Sequence, residues 1–267
     1  MTFSYNKVWD KTVSITRALL PLLLAIAGVF IFLPGLVLNH FAPAPAMTGA
    51  DPQAVLTVLT DYWRANWHWN VIVMLLGMTG TLAMSILIFD ERHPTVRTAI
   101  GQGLILLPSY LVCAILTAIV LSILLLLIVT VLGLLLGAAN PLVVLLAAIP
   151  CLYLYGRVAI IGQVIAAEDR RGPFNALGRT LELTQGRAWA ISGLVLGAFL
   201  LTGVVGLAVR SAVGVIARLL LDAQLATFIE LVVISGVGAA MAALVVVLYA
   251  AIYRTLAPSR SATALVD

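Results

Sequence analysis

The chain has 267 residues, of which 63% are hydrophobic and only 10% are charged, with a mean hydropathy of +1.14 and a net charge of +4. Soluble domains carry about 25% charged residues, so this composition excludes a soluble globular protein. In a membrane chain the small positive charge is better explained by orientation and contact with anionic lipid headgroups than by nucleic acid. The length leaves room for about six membrane-spanning helices and short connections, and none for a soluble catalytic domain.

Uncharged runs recur along the chain at lengths that suit membrane helices. A hydrocarbon core of about 30 Å is crossed by about 20 helical residues. Backbone at this depth must satisfy its own hydrogen bonds, which favours helices over open strands. We therefore predict an all-α integral membrane protein. The predicted spans are 19–38, 71–89, 104–136, 141–166, 188–209 and 227–253.

The first run, Leu19–Leu38, is preceded by Lys7, Lys11 and Arg17 and followed by small residues around Ala44. Two interpretations fit this pattern: a cleavable signal peptide and a retained span. The apolar region of a signal peptide has about 7–15 residues. Because this run is longer, the retained span is the favoured interpretation.

The longest uncharged stretch runs from Thr98 to Gly156, 59 residues without Asp, Glu, Lys or Arg, which is too long for one crossing. Turn-forming residues and a helix-starting proline at 137–141 divide it into the third and fourth spans. The third span exceeds what a bilayer needs, so we expect strong tilt or an interfacial end. Cys113 and Cys151 lie in apolar runs, where cysteine behaves as a small hydrophobic residue, and we expect no disulfide.

Lysine and arginine are distributed unevenly between the two sides of the predicted bundle. With the N-terminus inside, eleven lie inside, three lie outside, and Arg157 lies within a span. This bias predicts that both termini are cytoplasmic. The inner residues are Lys7, Lys11, Arg17, Arg92, Arg97, Arg170, Arg171, Arg179, Arg187, Arg254 and Arg260, and the outer ones are Arg64, Arg210 and Arg218.

The connections between spans contain patterns of their own. Outside, residues 53–62 and 212–220 carry apolar stripes at helical spacing, and we expect both to lie as helices on the membrane surface. Inside, Asp90–Pro94 and Glu168–Pro173 each place an acidic and basic cluster before a proline. With Lys7–Pro21 as a third copy, the chain would be three hairpin units, each preceded by a juxtamembrane amphipathic helix. Chance similarity between basic junctions is the alternative.

Two ionisable residues lie inside predicted spans, where such groups are functional candidates. Arg157 has two interpretations: a structural role, such as capping carbonyls or gripping a lipid phosphate, and a substrate site. Glu230 either pairs with Arg210 or Arg218 or couples protons. Arg157 and Glu230 together form a candidate buried charge site.

The inner segment 170–187 has the most function-like pattern in the chain. Gly172-Pro173 predicts the start of a helix and Gly186 its end. Its arginines would lie at headgroup level, either as an anchor or as a specific site for a phospholipid or a protein partner. The candidate lipid- or partner-binding residues are Arg157, Arg170, Arg171, Arg179, Arg187 and Trp189.

The stretch Ile149–Ile191 resembles a known family. It contains Ile149-Pro150-Cys151-Leu152-Tyr153, Arg157, Glu168-Asp169-Arg170-Arg171-Gly172-Pro173-Phe174-Asn175-Ala176-Leu177, Arg179-Thr180-Leu181-Glu182-Leu183-Thr184-Gln185-Gly186 and Trp189. This resembles the YciC-like bacterial inner-membrane proteins and is similar to the membrane domain fused to some glycerophosphoryl diester phosphodiesterases. Cys151 replaces the family's glycine, and Thr180-Leu181 replaces Ser-Trp. The resemblance implies a six-helix domain in a bacterial inner membrane, and the family's enzymatic activity belongs to a fused domain that is absent here.

The sequence offers little support for catalysis. His40, His68 and His93 are scattered, so no set of metal ligands is formed, and Ser109 has no neighbouring base. We predict no cofactor, no metal and no catalytic residue. The predicted function is a non-enzymatic scaffold or accessory subunit that binds phospholipid or a membrane partner. The alternative is a transporter of a lipid or small amphiphile, with Arg157 and Glu230 at a midplane cavity.

Overall fold

The computed structural model describes residues 4–43, 45, 52–90, 95–137, 141–168 and 172–257, and this part of the chain is almost entirely α-helical. A π-helical turn, Gly28–Phe32, joins α1 to α2 without a break. The helices are α1 (Tyr5–Ala27), α2 (Leu33–Phe41), α3 (Pro52–Phe89), α4 (Val96–Leu136), α5 (Pro141–Val158), α6 (Ile161–Glu168), α7 (Pro173–Leu183), α8 (Ala188–Leu220) and α9 (Ala223–Leu256).

Six helical segments in the described ranges are long and apolar enough to cross a membrane, which confirms the predicted all-α membrane protein. α4 alone has 41 residues, a length of about 62 Å at 1.5 Å per residue. That is about twice the hydrocarbon thickness, so such helices tilt or extend past it. The segments are Tyr5–Phe41, Ala54–Phe89, Val96–Leu136, Leu142–Glu168, Ala188–Leu220 and Gln224–Leu256.

The predicted helix boundaries at Gly137 and at Gly172-Pro173 are confirmed, whereas α7 ends at Leu183, three residues before the predicted Gly186. α4 ends before Gly137, whose φ of 87° is a backbone conformation that side chains with a Cβ rarely adopt. α7 begins at Pro173 after an extended Gly172, and Gly186, with a φ of 71°, lies between α7 and α8. Polar caps complete other ends: Asp222 accepts a hydrogen bond from the Leu225 amide at 2.9 Å at the start of α9.

The two outer segments predicted as surface helices are instead parts of long helices. Residues 53–62 belong to α3, and residues 212–220 belong to α8. The reason is local: neither stretch is separated from its span by a proline or a run of turn formers. A break would leave about four backbone donors and four acceptors without helical partners, and an uninterrupted helix avoids that cost.

Only the third hairpin shows the predicted unit, a separate amphipathic helix before a span. There, α7 is a separate helix before α8, whereas α4 begins directly at Val96 after its Thr95 cap. The first helix likewise runs without interruption from Tyr5 into its span. The fourth predicted span is not one continuous helix, because it is divided into α5 and α6 at residues 159–160.

Buried residues are concentrated at one end of the bundle. Leu82–Ile88 of α3 and Ile160–Ile165 are buried throughout, whereas α4 has no buried residue after Cys113. We call the packed end the closed end and the other the open end. The closed end carries Tyr5, Phe89, Val96, Glu168, Ala188 and Leu256, and the open end carries Phe41, Pro52, Leu136, Pro141, Leu220 and Ala223.

Contacts between distant parts of the chain hold the closed end together. α1 packs along α9, α3 along α4, and α8 along both α5 and α9. Lys11 Nζ donates a hydrogen bond to the Arg254 carbonyl at 2.7 Å. The Arg254 guanidinium donates to the Ile88 carbonyl and lies 5.6 Å from the centre of the Phe89 ring. α1, α3 and α9 are therefore joined at this end.

Candidate functional site

α7 lies at the closed end as a short amphipathic helix. Its 11 residues reach about 16 Å, too short to cross a membrane. Ala176 and Thr180 are completely buried against the bundle, while Phe174 on the other side is 73% exposed. Cys113 Sγ of α4 donates to the Pro173 carbonyl at 3.3 Å, which holds the start of α7. α7 therefore presents an aromatic side chain on its exposed face.

Arg179, one of the predicted binding residues, is already engaged by two carboxylates. Its Nε lies 3.3 Å from Glu168 Oε1, and its Nη1 lies 3.3 Å from Glu182 Oε2. Burial alone would lower the pKa of Arg179, but the two carboxylates outweigh it and raise that pKa above its ordinary value. Its charge is therefore compensated within the protein. Arg170 and Arg171 lie outside the described residues.

Glu168 is the residue that connects three helices at this corner. Besides the pair with Arg179, its Oε1 accepts a hydrogen bond from the Tyr253 hydroxyl at 3.1 Å. Its side chain is only 15% exposed. Glu168 is not among the predicted site residues, although its place at the end of an apolar run and beside a basic cluster is a signal in the sequence.

Arg157 lies one residue from the end of α5, within the apolar segment Leu142–Glu168, and the preceding Gly156 lies against Ala188 at the start of α8. It is half-buried, and its guanidinium makes no hydrogen bond or ion pair with the part of the chain that the structure describes. Its carbonyl accepts a hydrogen bond from Thr184 Oγ1 at 3.0 Å. That bond holds the end of α5 against the α7–α8 corner.

The α7–α8 corner contains two further predicted residues. Arg187 is the residue immediately before α8, and Trp189 lies in the first turn of that helix, 55% exposed. The Trp189 ring packs against Tyr153 of α5, with ring centres 5.5 Å apart. Exposed aromatic rings beside arginines are typical of the membrane–water interface.

The structure does not bring together Arg157 and Glu230, the two residues of the candidate buried charge site. Glu230 is near the start of α9, at the open end, whereas Arg157 is near the closed end. Glu230, with a side chain 16% exposed, pairs instead with Arg218, whose Nη2 is 3.5 Å from Glu230 Oε2. That pairing is one of the two that the sequence predicted.

An apolar groove of about 630 Å³ lies between α4, α5 and α8. Trp189 and Tyr155 contribute rings to its wall, and Ser122 and Cys151 are its small polar residues. The sequence does not reveal it, because it depends on how α5 crosses α8. Its aliphatic lining includes Leu121, Leu125, Leu145, Ile149, Leu152 and Leu196.

A smaller cavity of about 380 Å³ lies between α8, α9 and the α5–α6 break. Its polar wall contains Gln163 and three tyrosines, Tyr110, Tyr155 and Tyr249, and sequence analysis selected none of them. The signal was present as isolated polar residues within apolar runs. Elsewhere, Cys113 and Cys151 are free thiols, and the described residues contain no group of three potential metal ligands.

The segment that carries the family resemblance is divided among α5, α6, α7 and α8 in the structure. Its conspicuous positions form the corner described above: Arg157 at the end of α5, Arg179 on α7 and Trp189 on α8. This arrangement does not test the resemblance, which stays a prediction. No protein-family model matches this chain, and no curated protein and no solved structure shows significant similarity to it.

Proposed function

We propose that this membrane protein is a non-enzymatic scaffold or accessory subunit that binds an anionic phospholipid at the corner of α5, α7 and α8. The observation that carries the proposal is that Arg157 is half-buried and its guanidinium has no hydrogen-bond or ion-pair partner in the described chain. A guanidinium withdrawn from water is costly unless an anion pairs with it. A lipid phosphate supplies that anion and matches the two-pronged geometry of arginine.

The surroundings of Arg157 suit a lipid headgroup at an interface. Tyr153 and Trp189 form an aromatic pair beside it, and Arg187 follows one residue before Trp189. Each basic residue near an anionic leaflet contributes about 1 kcal/mol to lipid attraction. The groove between α4, α5 and α8, which shares Trp189, offers an acyl chain an apolar wall. The corner would thus bind the lipid headgroup, and the adjoining groove would bind its acyl chain.

The scaffold role is supported by the surface of α4. From Ala114 to Leu136 this helix has no buried residue, and Leu134 is 84% exposed. Such a surface contacts either lipid or the helix of another membrane protein. In this proposal the closed end, with most of the basic residues, faces the cytoplasm of a bacterial cell and the protein lies in the inner membrane.

Lipid binding is tested by native mass spectrometry of the protein purified with a mild detergent and supplied with phosphatidylglycerol or phosphatidylcholine. We expect preferential retention of phosphatidylglycerol and a loss of about tenfold in its affinity for Arg157→Ala. Arg64→Ala is the matched control, because Arg64 is exposed near the start of α3. Equal retention of both lipids, or equal loss in both variants, would contradict the proposal.

The groove is tested separately by adding bulk to its wall. Ala148→Phe fills the groove, whereas Val144→Phe adds the same ring to a side chain that is 71% exposed and outside the groove wall. We expect only the first substitution to reduce the number of lipids that remain bound. If the two variants retain lipid equally, the acyl chain does not occupy this groove.

A transporter of a lipid or small amphiphile is the second candidate, favoured by the helix break at residues 159–160 beside the 380 Å³ cavity. Gentle extraction from native membranes distinguishes the two functions. A stoichiometric protein partner that is lost on changing Arg170, Arg171 and Arg179 together supports the accessory subunit. A protein that emerges alone, with an enriched lipid that it moves between the leaflets of reconstituted vesicles, supports transport.

A further inference from the structure

The smaller cavity is lined by several hydrogen-bonding side chains and by no charged one. Its volume of about 380 Å³ falls in the range of small-molecule pockets. The remaining wall is apolar and includes Phe199, which is 50% exposed on α8. A molecule dissolved in the bilayer can therefore reach it from the side. The polar lining consists of Thr81, Tyr110, Tyr155, Gln163, Thr202 and Tyr249.

Gln163 is the first sign that the cavity is built for a ligand. Its side chain is 1% exposed, and its Nε2 has no hydrogen-bond partner. A buried primary amide without a partner is costly in any protein, and more so at membrane depth, where water does not compensate. Gln163 lies in the first turn of α6, directly after the break. Its backbone N–H donates a hydrogen bond to the Ile160 carbonyl at 3.1 Å, so only the side-chain amide lacks a partner.

The tyrosines add donors on the facing walls. The hydroxyls of Tyr155 and Tyr249 are 3.0 Å apart, so one hydroxyl proton is used between them and the other is available for a ligand. Tyr110 makes no hydrogen bond within the described chain. It lies so close to α6 that a Cβ on Gly162 would be 3.3 Å from its ring, so Gly162 allows this approach. The three tyrosines, on α4, α5 and α9, and Gln163 on α6 therefore present donors to one space.

We propose that this cavity binds an uncharged lipid-soluble molecule through its carbonyl oxygens. Carbonyl oxygens accept from the Gln163 amide and the tyrosine hydroxyls, and the apolar wall accommodates the rest of the molecule. A charged headgroup is excluded, because the cavity lining has no counter-charge at low dielectric. Two classes of uncharged lipid-soluble molecule carry such carbonyl oxygens: an isoprenoid quinone, on its ring, and a diacylglycerol, in its esters. The site does not include Arg157, so it stands independently of the proposed phospholipid site.

The test is a calorimetric titration of the purified full-length protein in mild detergent with three probes. These are decylubiquinone, dioctanoylglycerol and the charged dioctanoyl phosphatidylglycerol. Gln163→Leu, which removes the amide at nearly constant size, should weaken binding of an uncharged probe by about tenfold. Gly238→Leu should abolish it, because Gly238 lines the cavity and an added Cβ meets open space there.

Matched controls separate the cavity from general effects of substitution. Gln102→Leu makes the same chemical change at an exposed position on α4, and Gly197→Leu adds the same bulk at an exposed position on α8. Both should bind the uncharged probe like the unchanged protein. Should Gln163→Leu fail to fold, Tyr249→Phe removes one donor hydroxyl from the cavity and should also weaken binding severalfold.

The outcomes are distinct from those of the phospholipid site. If only the quinone analogue binds, the acceptors that the cavity recognises are ring carbonyls. If only the glycerolipid binds, they are ester carbonyls, and binding of both supports recognition of carbonyl oxygens in general. Binding of only the charged probe, or of neither uncharged probe, overturns the proposal. Equal affinity in Gln163→Leu, Gly238→Leu and their controls overturns it too. Arg157→Ala should leave this binding unchanged whether or not it loses phospholipid.

Discussion

Replacing Gly156 by alanine should push α5 away from α8, because the two helices cross at that residue with backbone contact. A Cβ on Gly156 would lie 2.6 Å from the Ala188 carbonyl oxygen and would also collide with the Ser192 hydroxyl. At the same crossing, Ser192 Oγ donates to the Leu152 carbonyl at 2.7 Å. One methyl group therefore meets both a rigid backbone atom and a hydrogen-bonded side chain.

The expected magnitude follows from three contributions. In an unconstrained helix, glycine to alanine stabilises by about 0.5–1 kcal/mol. Overpacking at a close contact costs about 1–3 kcal/mol, and here the colliding carbonyl cannot rotate away. Disturbing the Ser192 hydrogen bond adds about 0.6 kcal/mol, an average for such bonds in membrane proteins. The net result is a destabilisation of about 2 kcal/mol.

Reversible unfolding in mixed micelles by increasing dodecyl sulfate, followed by circular dichroism, measures this change. Gly197→Ala is the control, because it makes the same substitution on α8 where an added Cβ meets nothing within 4 Å. That variant should be as stable as the unchanged protein or slightly more stable. Only Gly156→Ala should therefore lower the denaturant concentration at the unfolding midpoint.

The reasoning is refuted if Gly156→Ala unfolds at the same denaturant concentration as Gly197→Ala. A double-mutant cycle makes the test sharper. Ser192→Ala removes one of the two colliding groups, so it should cost less in the Gly156→Ala background than alone. Full recovery is not expected, since the Ala188 carbonyl still blocks the methyl group.

Two further substitutions test the closed end and a helix cap. Glu168→Gln should lower the free energy of unfolding by about 1–2 kcal/mol, because it weakens the hydrogen bonds from Arg179 and Tyr253. The control is Glu182→Gln, which should change the free energy of unfolding by less than about 0.5 kcal/mol, because the Glu182 side chain is 70% exposed. Asp222→Ala should cost about 1 kcal/mol through loss of the α9 cap. Equal unfolding midpoints for Glu168→Gln and Glu182→Gln, or an unchanged midpoint for Asp222→Ala, would contradict these assignments.

Some structural features were readable from the sequence because their causes are local. Gly137 and Pro173 mark helix boundaries through the backbone angles and missing donor that these residue types carry. The pair of Glu230 with an outer arginine was also predictable, since both groups occur near the same end of neighbouring spans. The prediction of separate surface helices at 53–62 and 212–220 was wrong, because an apolar stripe does not distinguish a separate helix from the extension of a span.

Other features depend on how helices rotate against one another. Arg157 and Glu230 were grouped because both are ionisable residues in spans, yet the bundle places them near opposite ends. The donors of the smaller cavity come from Tyr110, Gln163 and Tyr249, which are far apart in the chain. No spacing rule connects them, since each belongs to a different helix.

The amino-acid sequence by itself determined that this is a helical membrane protein with about six spans and fixed helix ends. Hydrophobic transfer and backbone hydrogen bonding act residue by residue, so composition and local order are sufficient for these properties. Only the tertiary structure decided that the Arg157 guanidinium has no described partner, that Glu168 joins three helices and that Gln163 lines one cavity with three tyrosines. These depend on helix crossings such as that at Gly156, where close packing sets the rotation of every side chain.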